Sequence, residues 1–206
     1  MTDTGIFYGT GASEGVPSPF CDCPMCNYAR EHGGKDVRKR SCFRLGRNIM
    51  IDMGPDIFTQ ALQYGSMCDI EHVLITHTHD DHFDFTALGL MSMATHLRTT
   101  PVHFYFSEEG YRFIELLRDS EIAFGGTLRG MEKKGIYAFH KLKYFETYSI
   151  GEYEVTPIRG NHGGNMAKER SANYVLKAKD GTKMLYGMDT GPVSYTHLTL
   201  PTICSV

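Results

Sequence analysis

The order of apolar and polar positions divides this chain into short segments. Residues 5–10 (GIFYGT) form an apolar block that runs into the closely spaced glycines Gly9, Gly11 and Gly15, which predicts a strand and a tight turn. Residues 42–52 are predicted to be extended, with Ile49, Met50 and Ile51 leading into Asp52 and a turn at Gly54-Pro55. Residues 57–64 carry apolar positions at helical spacing and are closed by Gly65. Residues 72–75 (HVLI) read as a buried strand, 83–91 as a helix, 102–106 as a strand and 108–118 as a further helix. Later the pattern is mostly extended, over 144–149, 153–158, 172–179 and 183–186, with Asp180-Gly181 marking a hairpin. No repeat or low-complexity linker interrupts it. Strands mixed with a few helices predict a layered α/β sandwich.

Composition narrows the function classes. A chain of 206 residues fits one domain with a real core. No apolar run is long enough to span a bilayer, and residues 1–9 lack the basic start and apolar stretch of a signal peptide, so a cytoplasmic protein without a membrane partner is expected. The net charge of −3 carries no footprint for a nucleic-acid backbone, which disfavours a nucleic-acid partner without excluding one. The local basic run Lys35, Arg38, Lys39 and Arg40 reads first as solvated surface.

The chemistry concentrates in His77-Thr78-His79-Asp80-Asp81-His82, directly after an apolar strand. A rigid sheet can hold side chains convergently in the loops at its strand ends. Imidazole and carboxylate together suit zinc, manganese or iron and leave positions open for water. The spacing His77-x-His79-x-Asp81-His82 resembles the defining motif of the metallo-β-lactamase fold hydrolases. Asp52 resembles the early aspartate that braces the ligand loop, His162 the third histidine, and Asp189 the aspartate that bridges two metals. The resemblance implies an αββα four-layer sandwich, incomplete at its C-terminal end. It also implies two divalent metal ions, zinc or manganese. One is held by His77, His79 and His162, the other by Asp81 and His82, with Asp189 shared; Asp81, His82 and Asp189 are the residues nearest the reaction. Thr76 and Thr78 are candidates for hydrogen bonds that fix the histidine rings, and equally for strand filler.

Cys21, Cys23 and Cys26 form a CxCxxC knuckle suited to one structural zinc, for which a fourth ligand lies elsewhere. Cys42 and Cys68 read as packed thiols. Together with the turn from Gly9 to Pro17, the knuckle and Arg38–Ser41, this opening resembles the phosphodiesterase branch, similar to the enzymes of phosphonate breakdown that open a cyclic ribose phosphate (PhnP-like). That implies hydrolysis of a phosphodiester, small and in the simplest case cyclic, by a hydroxide held between two metals. Arg38 or Arg40 could grip a substrate phosphate, or make a structural ion pair. Two other readings stand beside it: a carbonyl-ester, thioester or lactam hydrolase on the same fold, and a non-catalytic metal-binding accessory protein similar to the pyrroloquinoline quinone biosynthesis proteins. A homodimer is allowed on general grounds.

The hydrolase domain is expected over residues 1–192. Residues 193–206, which include His197 and Cys204, resemble translated sequencing-adapter sequence and are expected to be a non-native tail. The family pattern calls for one more histidine after Asp189, and His197 is not expected to supply it.

Overall fold

The computed structural model describes residues 4–94, 99–120 and 127–191. Two sheets face each other. The six-stranded sheet contains β1 (Gly5–Gly9), β2 (Cys42–Leu45), β3 (Ile49–Ile51), β4 (His72–Leu74), β5 (Val102–Ser107) and β6 (Tyr137–Leu142), in that spatial order. β1, β2 and β3 pair antiparallel, and β3 to β6 run parallel. The second sheet is antiparallel: β10 (Lys183–Tyr186), β9 (Ala172–Lys177), β8 (Tyr153–Arg159) and β7 (Tyr148–Ile150).

Parallel strands joined by crossover helices are covered on both faces and therefore lack polar alternation. This is the case for β3 (IMI), whose Met50 faces the helices while Ile49 and Ile51 face the second sheet. In β5, Val102, Phe104 and Phe106 pack under the helices, and Tyr105 points into the space between the sheets. The second sheet does alternate: Tyr153 and Val155 of β8, Tyr174 and Leu176 of β9 and Tyr186 of β10 fill the inter-sheet core.

The crossover helices α2 (Ile57–Tyr64), α3 (Thr86–Met93), α4 (Glu108–Asp119) and α5 (Leu128–Lys133) sit between successive parallel strands. Leu88, Ile114, Leu117, Leu128 and Met131 join the core on the outer face of the six-stranded sheet, as crossovers of one hand require. Ser107 caps α4 by accepting from Gly110 N at 3.1 Å, and Glu108 and Glu109 occupy its first turn. The described residues thus form a helix layer and two sheet layers of the expected sandwich.

Several boundaries differ from the pattern reading for local reasons. Residues 42–52 are a hairpin rather than one extended run, because Gly46, at φ 57°, turns β2 back on β3. The helix expected from Phe83 begins at Thr86, since Asp84 N bonds Met53 O at 2.8 Å and Asp84 Oδ1 takes Thr86 N at 2.9 Å. Strand 144–149 shortens to Tyr148–Ile150, as Phe145 sits at φ 66° in a turn. The pattern reading had not identified α1 (Pro24–His32), α5 or β6. Residues 193–206, with His197 and Cys204, lie outside the described residues. No described helix is long and apolar enough to cross a membrane.

Candidate metal centre

β3 and β4 end side by side, and the polar cluster grows from their C-terminal ends. Asp52 N bonds Leu74 O at 2.9 Å, which places Asp52 beside the start of the histidine loop. Asp52 adopts φ 64°, a region non-glycine residues seldom occupy and one often found at functional sites. Its fully buried carboxylate accepts from Thr76 N at 2.8 Å, from Thr76 Oγ1 at 2.9 Å and from His82 Nδ1 at 2.7 Å. Met53 N bonds His82 O at 2.7 Å, pinning the far end of the loop. Gly54 is needed here, since a Cβ would sit 2.1 Å from Asp81 O.

These bonds decide which ring nitrogen faces the cavity. His82 gives its Nδ1–H to Asp52, so Nε2 points inward. Thr76 Oγ1 donates to Asp52 and lies 3.0 Å from His77 Nδ1, so it accepts that ring's proton and turns Nε2 of His77 inward too. His162 stands in the loop after β8, and Ser171 N bonds its carbonyl at 2.8 Å.

His77 Nε2 lies 3.1 Å from His79 Nδ1, and His162 Nε2 lies 3.3 Å from the same atom. A tetrahedral zinc with Zn–N near 2.0–2.1 Å has ligand–ligand edges of about 3.3 Å. Two edges of the nest, those that meet at His79, are therefore spaced as one cation would hold them, and all three nitrogens lie within 4.8 Å of one another. Asp189 Oδ2 is 3.1 Å from His82 Nε2, 3.7 Å from His77 Nε2 and 3.9 Å from His162 Nε2, between this nest and a second group of His77, His82 and Asp189. Asp81 Oδ2 approaches His82 Nε2 at 3.4 Å. All six residues singled out in the sequence meet here.

The electrostatics have the same sense. Burial, and then the neighbouring His82 and His79, hold the His77 imidazole down to about 3, so it is neutral and able to donate a lone pair. For His82 burial acts downward, but the carboxylates of Asp52, Asp189 and Asp81 outweigh it and raise the ring to about 12. The hydrogen bond from His82 holds Asp189 at about 2. Three carboxylates thus crowd one imidazole, an excess of negative charge that calls for cations.

Thr76 contacts both His77 and His82, whereas Thr78 touches neither ring. Thr78 bonds Glu169, a buried residue that sequence reasoning missed because a lone carboxylate carries no periodic signal. Asn161 and Ser171 were missed likewise. Asn161 Oδ1 accepts from Gly191 N at 2.6 Å, Ser171 Oγ donates to Asp189 O at 3.2 Å, and Asp189 itself stands at φ 43°.

Cys21, Cys23 and Cys26 also converge, their sulfurs all within 4.8 Å of one another. The edge of a Zn–S tetrahedron is about 3.8 Å for Zn–S of 2.3 Å. Cys23 stands at the N-terminal boundary of α1 ahead of Pro24, and the backbone N–H of Cys26, then the other two thiols, lower its thiol to about 7. No fourth ligand joins the group among the described residues. Arg40 is structural: its guanidinium meets Asp56 at 2.9 Å, while the exposed Arg38 side chain is in no ion pair among the described residues. Gly9 and Gly11 serve packing, since a Cβ on either would strike the backbone of residues 38–40.

A family profile described as beta-lactamase superfamily domain matches residues 47–200. Ribonuclease Z of Thermococcus onnurineus (strain NA1) is 27% identical over 157 residues, covering 72% of this chain and 46% of that protein. An octanoyltransferase of Porphyromonas gingivalis (strain ATCC BAA-308 / W83) is 37% identical over 81 residues, 37% of this chain but 16% of that protein. Among solved structures, a diphosphatase from the PhnP family superposes with a TM-score of 0.65 at 22% identity, covering 86% of this chain and 63% of that one. The chain spans less than half the length of either curated relative.

Proposed function

Because the chain belongs to the beta-lactamase superfamily domain family, we propose that it is a metal-dependent hydrolase that cleaves a phosphodiester, small and in the simplest case cyclic. The observation that carries this reading is the pair of adjoining donor groups that meet at His77, one all-imidazole and one mixed imidazole–carboxylate, with Asp189 Oδ2 3.1 Å from His82 Nε2 and 3.9 Å from His162 Nε2. The names of a ribonuclease Z and a diphosphatase among similar proteins favour phosphoester chemistry over carbonyl chemistry.

In this reading His77, His79 and His162 would hold one divalent ion, zinc or manganese, Asp81 and His82 would hold a second, and Asp189 would be shared. When bound, such a pair lowers the pKa of water towards about 7 and neutralises charge building on a phosphoryl oxygen. The chain's own groups do the rest. Asp52 and Thr76 hold the rings of His82 and His77 with Nε2 inward before any ligand arrives, so orientation costs nothing during the reaction; the His77 lone pair is free there, whereas His82 would give up its Nε2 proton as a metal binds. Asp189, whose side chain is 37% exposed, stays ionised at neutral pH and stands where a substrate enters from solvent. The phosphorylated substrate needs no protein nucleophile. Cys21, Cys23 and Cys26 hold a structural zinc apart from this centre, and the protein acts in the cytoplasm.

The test is turnover of bis-p-nitrophenyl phosphate against a thioester and a lactam, with metal content measured alongside. His79→Ala and Asp189→Ala should abolish phosphodiester cleavage with the fold intact. Unchanged turnover in either variant, or preference for the thioester or lactam, would overturn the proposal.

A further inference from the structure

Glu169 belongs to none of the motifs, yet it is 2% exposed, and no basic side chain among the described residues pairs with it. A buried carboxylate is costly unless hydrogen bonds replace its water. Here they do. Thr78 N donates to Oε1 at 2.8 Å, Thr78 Oγ1 to Oε2 at 2.5 Å, and Met166 N to Oε2 at 3.0 Å. Two more bonds cross the same seam: Asn165 N to Thr78 Oγ1 at 3.1 Å and Asn165 Nδ2 to Thr78 O at 2.6 Å. The space is cut to fit, because a Cβ on Gly164 would fall 2.1 Å from Oε2 and one on Gly110 would fall 3.0 Å from Oε1.

What these bonds join is informative. Thr78 stands between His77 and His79, and Asn165 and Met166 follow His162 by three and four residues. The separation of His79 from His162, 3.3 Å between ring nitrogens, spans two loops 83 residues apart in sequence and carried by different sheets. Backbone pairing between the sheets, such as Ala172 N to Thr76 O at 2.7 Å, brings the loops near each other but touches neither ring. Glu169 binds both loops at the residues flanking the ligands.

We propose that Glu169 is a positioning residue that locks the His162 loop to the His77–His82 loop and so sets the spacing of the three-imidazole nest. This rests on the reading of His77, His79 and His162 as metal ligands. Groups that orient ligands are typically worth about 10–100-fold in metal affinity. Glu169→Gln keeps the side chain's shape and one acceptor, but turns an amide donor towards the hydroxyl of Thr78 and the N–H of Met166.

The test is Co(II) titration, read by visible absorption and by affinity against a competing chelator. Glu169→Gln should lose about 10–100-fold in affinity and show an altered visible spectrum. Thr78→Val, which removes one donor to the carboxylate, should shift the spectrum the same way, and Thr78→Ser should restore it. Met131→Ala, in the core under α5, should lower the melting temperature and leave Co(II) binding alone. If Glu169→Gln and Thr78→Val bind Co(II) as the wild type does and merely melt earlier, as Met131→Ala does, the positioning role is refuted. If the wild type's Co(II) signal survives His79→Ala, the metal-site reading itself falls and this proposal with it.

Discussion

Asp52→Asn isolates a single proton at the centre of this site. Asparagine has the same size and tolerates the left-handed backbone at φ 64°, so neither cavity nor strain is introduced. What changes is the sign of one contact. The asparagine carbonyl can replace Oδ1 and keep the bond from Thr76 N, but its NH₂ then meets His82 Nδ1, 2.7 Å from Oδ2 in the wild type. Two donors cannot share that distance. His82 can keep the contact only by giving up its Nδ1 proton, which leaves Nε2–H as its one N–H, fixed on Asp189 and on the position a metal would take. Loss of such an orienting partner costs about 10–100-fold in metal affinity, equivalent to about 1.4–2.7 kcal/mol. The bond lost is also charge-assisted, worth about 1.5–3 kcal/mol in stability. Calorimetric titration with zinc and manganese, with a competing chelator, measures the first quantity and urea unfolding of the metal-free protein the second. Since Asp52 contacts His82 and not His79 or His162, the weakened site should be the one that contains Asp81 and His82. If Asp52→Asn bound two ions with wild-type affinity, Asp52 would not be what turns Nε2 of His82 inward.

Two further expectations concern regions away from the centre. Cys26→Ser should lower the metal content by one ion per chain and reduce thermal stability, without changing the Co(II) spectrum of the histidine nest; elemental analysis and a melting curve check it, and an unchanged metal count would refute the zinc knuckle. Ser107→Ala removes the oxygen that caps α4 through Gly110 N and should cost about 1 kcal/mol, a fall of about 2–4 °C in Tm for a chain of this size. No change in Tm would mean that water caps the helix equally well.

What the sequence determined by itself is local. Hydrophobic runs located β1, β4, β5, α2 and α4; burial on both faces leaves unbroken apolar blocks in the parallel strands β4 and β5, a glycine-rich turn closes β1, and helix ends carry their own punctuation. The loop from His77 to His82 was legible for the same reason: four ligating groups in six residues follow one strand. His162 and Asp189 were legible only through a resemblance, since nothing in their own surroundings distinguishes them from surface residues. Elements with weak local signals escaped. α5 is six residues long, and β6 alternates apolar residues with Ala138, His140 and Lys141. Tertiary structure alone decided which imidazole nitrogens face inward, that Thr76 orients rings while Thr78 does not, that Arg40 is bound to Asp56, and that Glu169 joins loops 83 residues apart. A hydrogen bond between distant residues depends on where two sheets bring their ends together, and no periodicity along the chain records that.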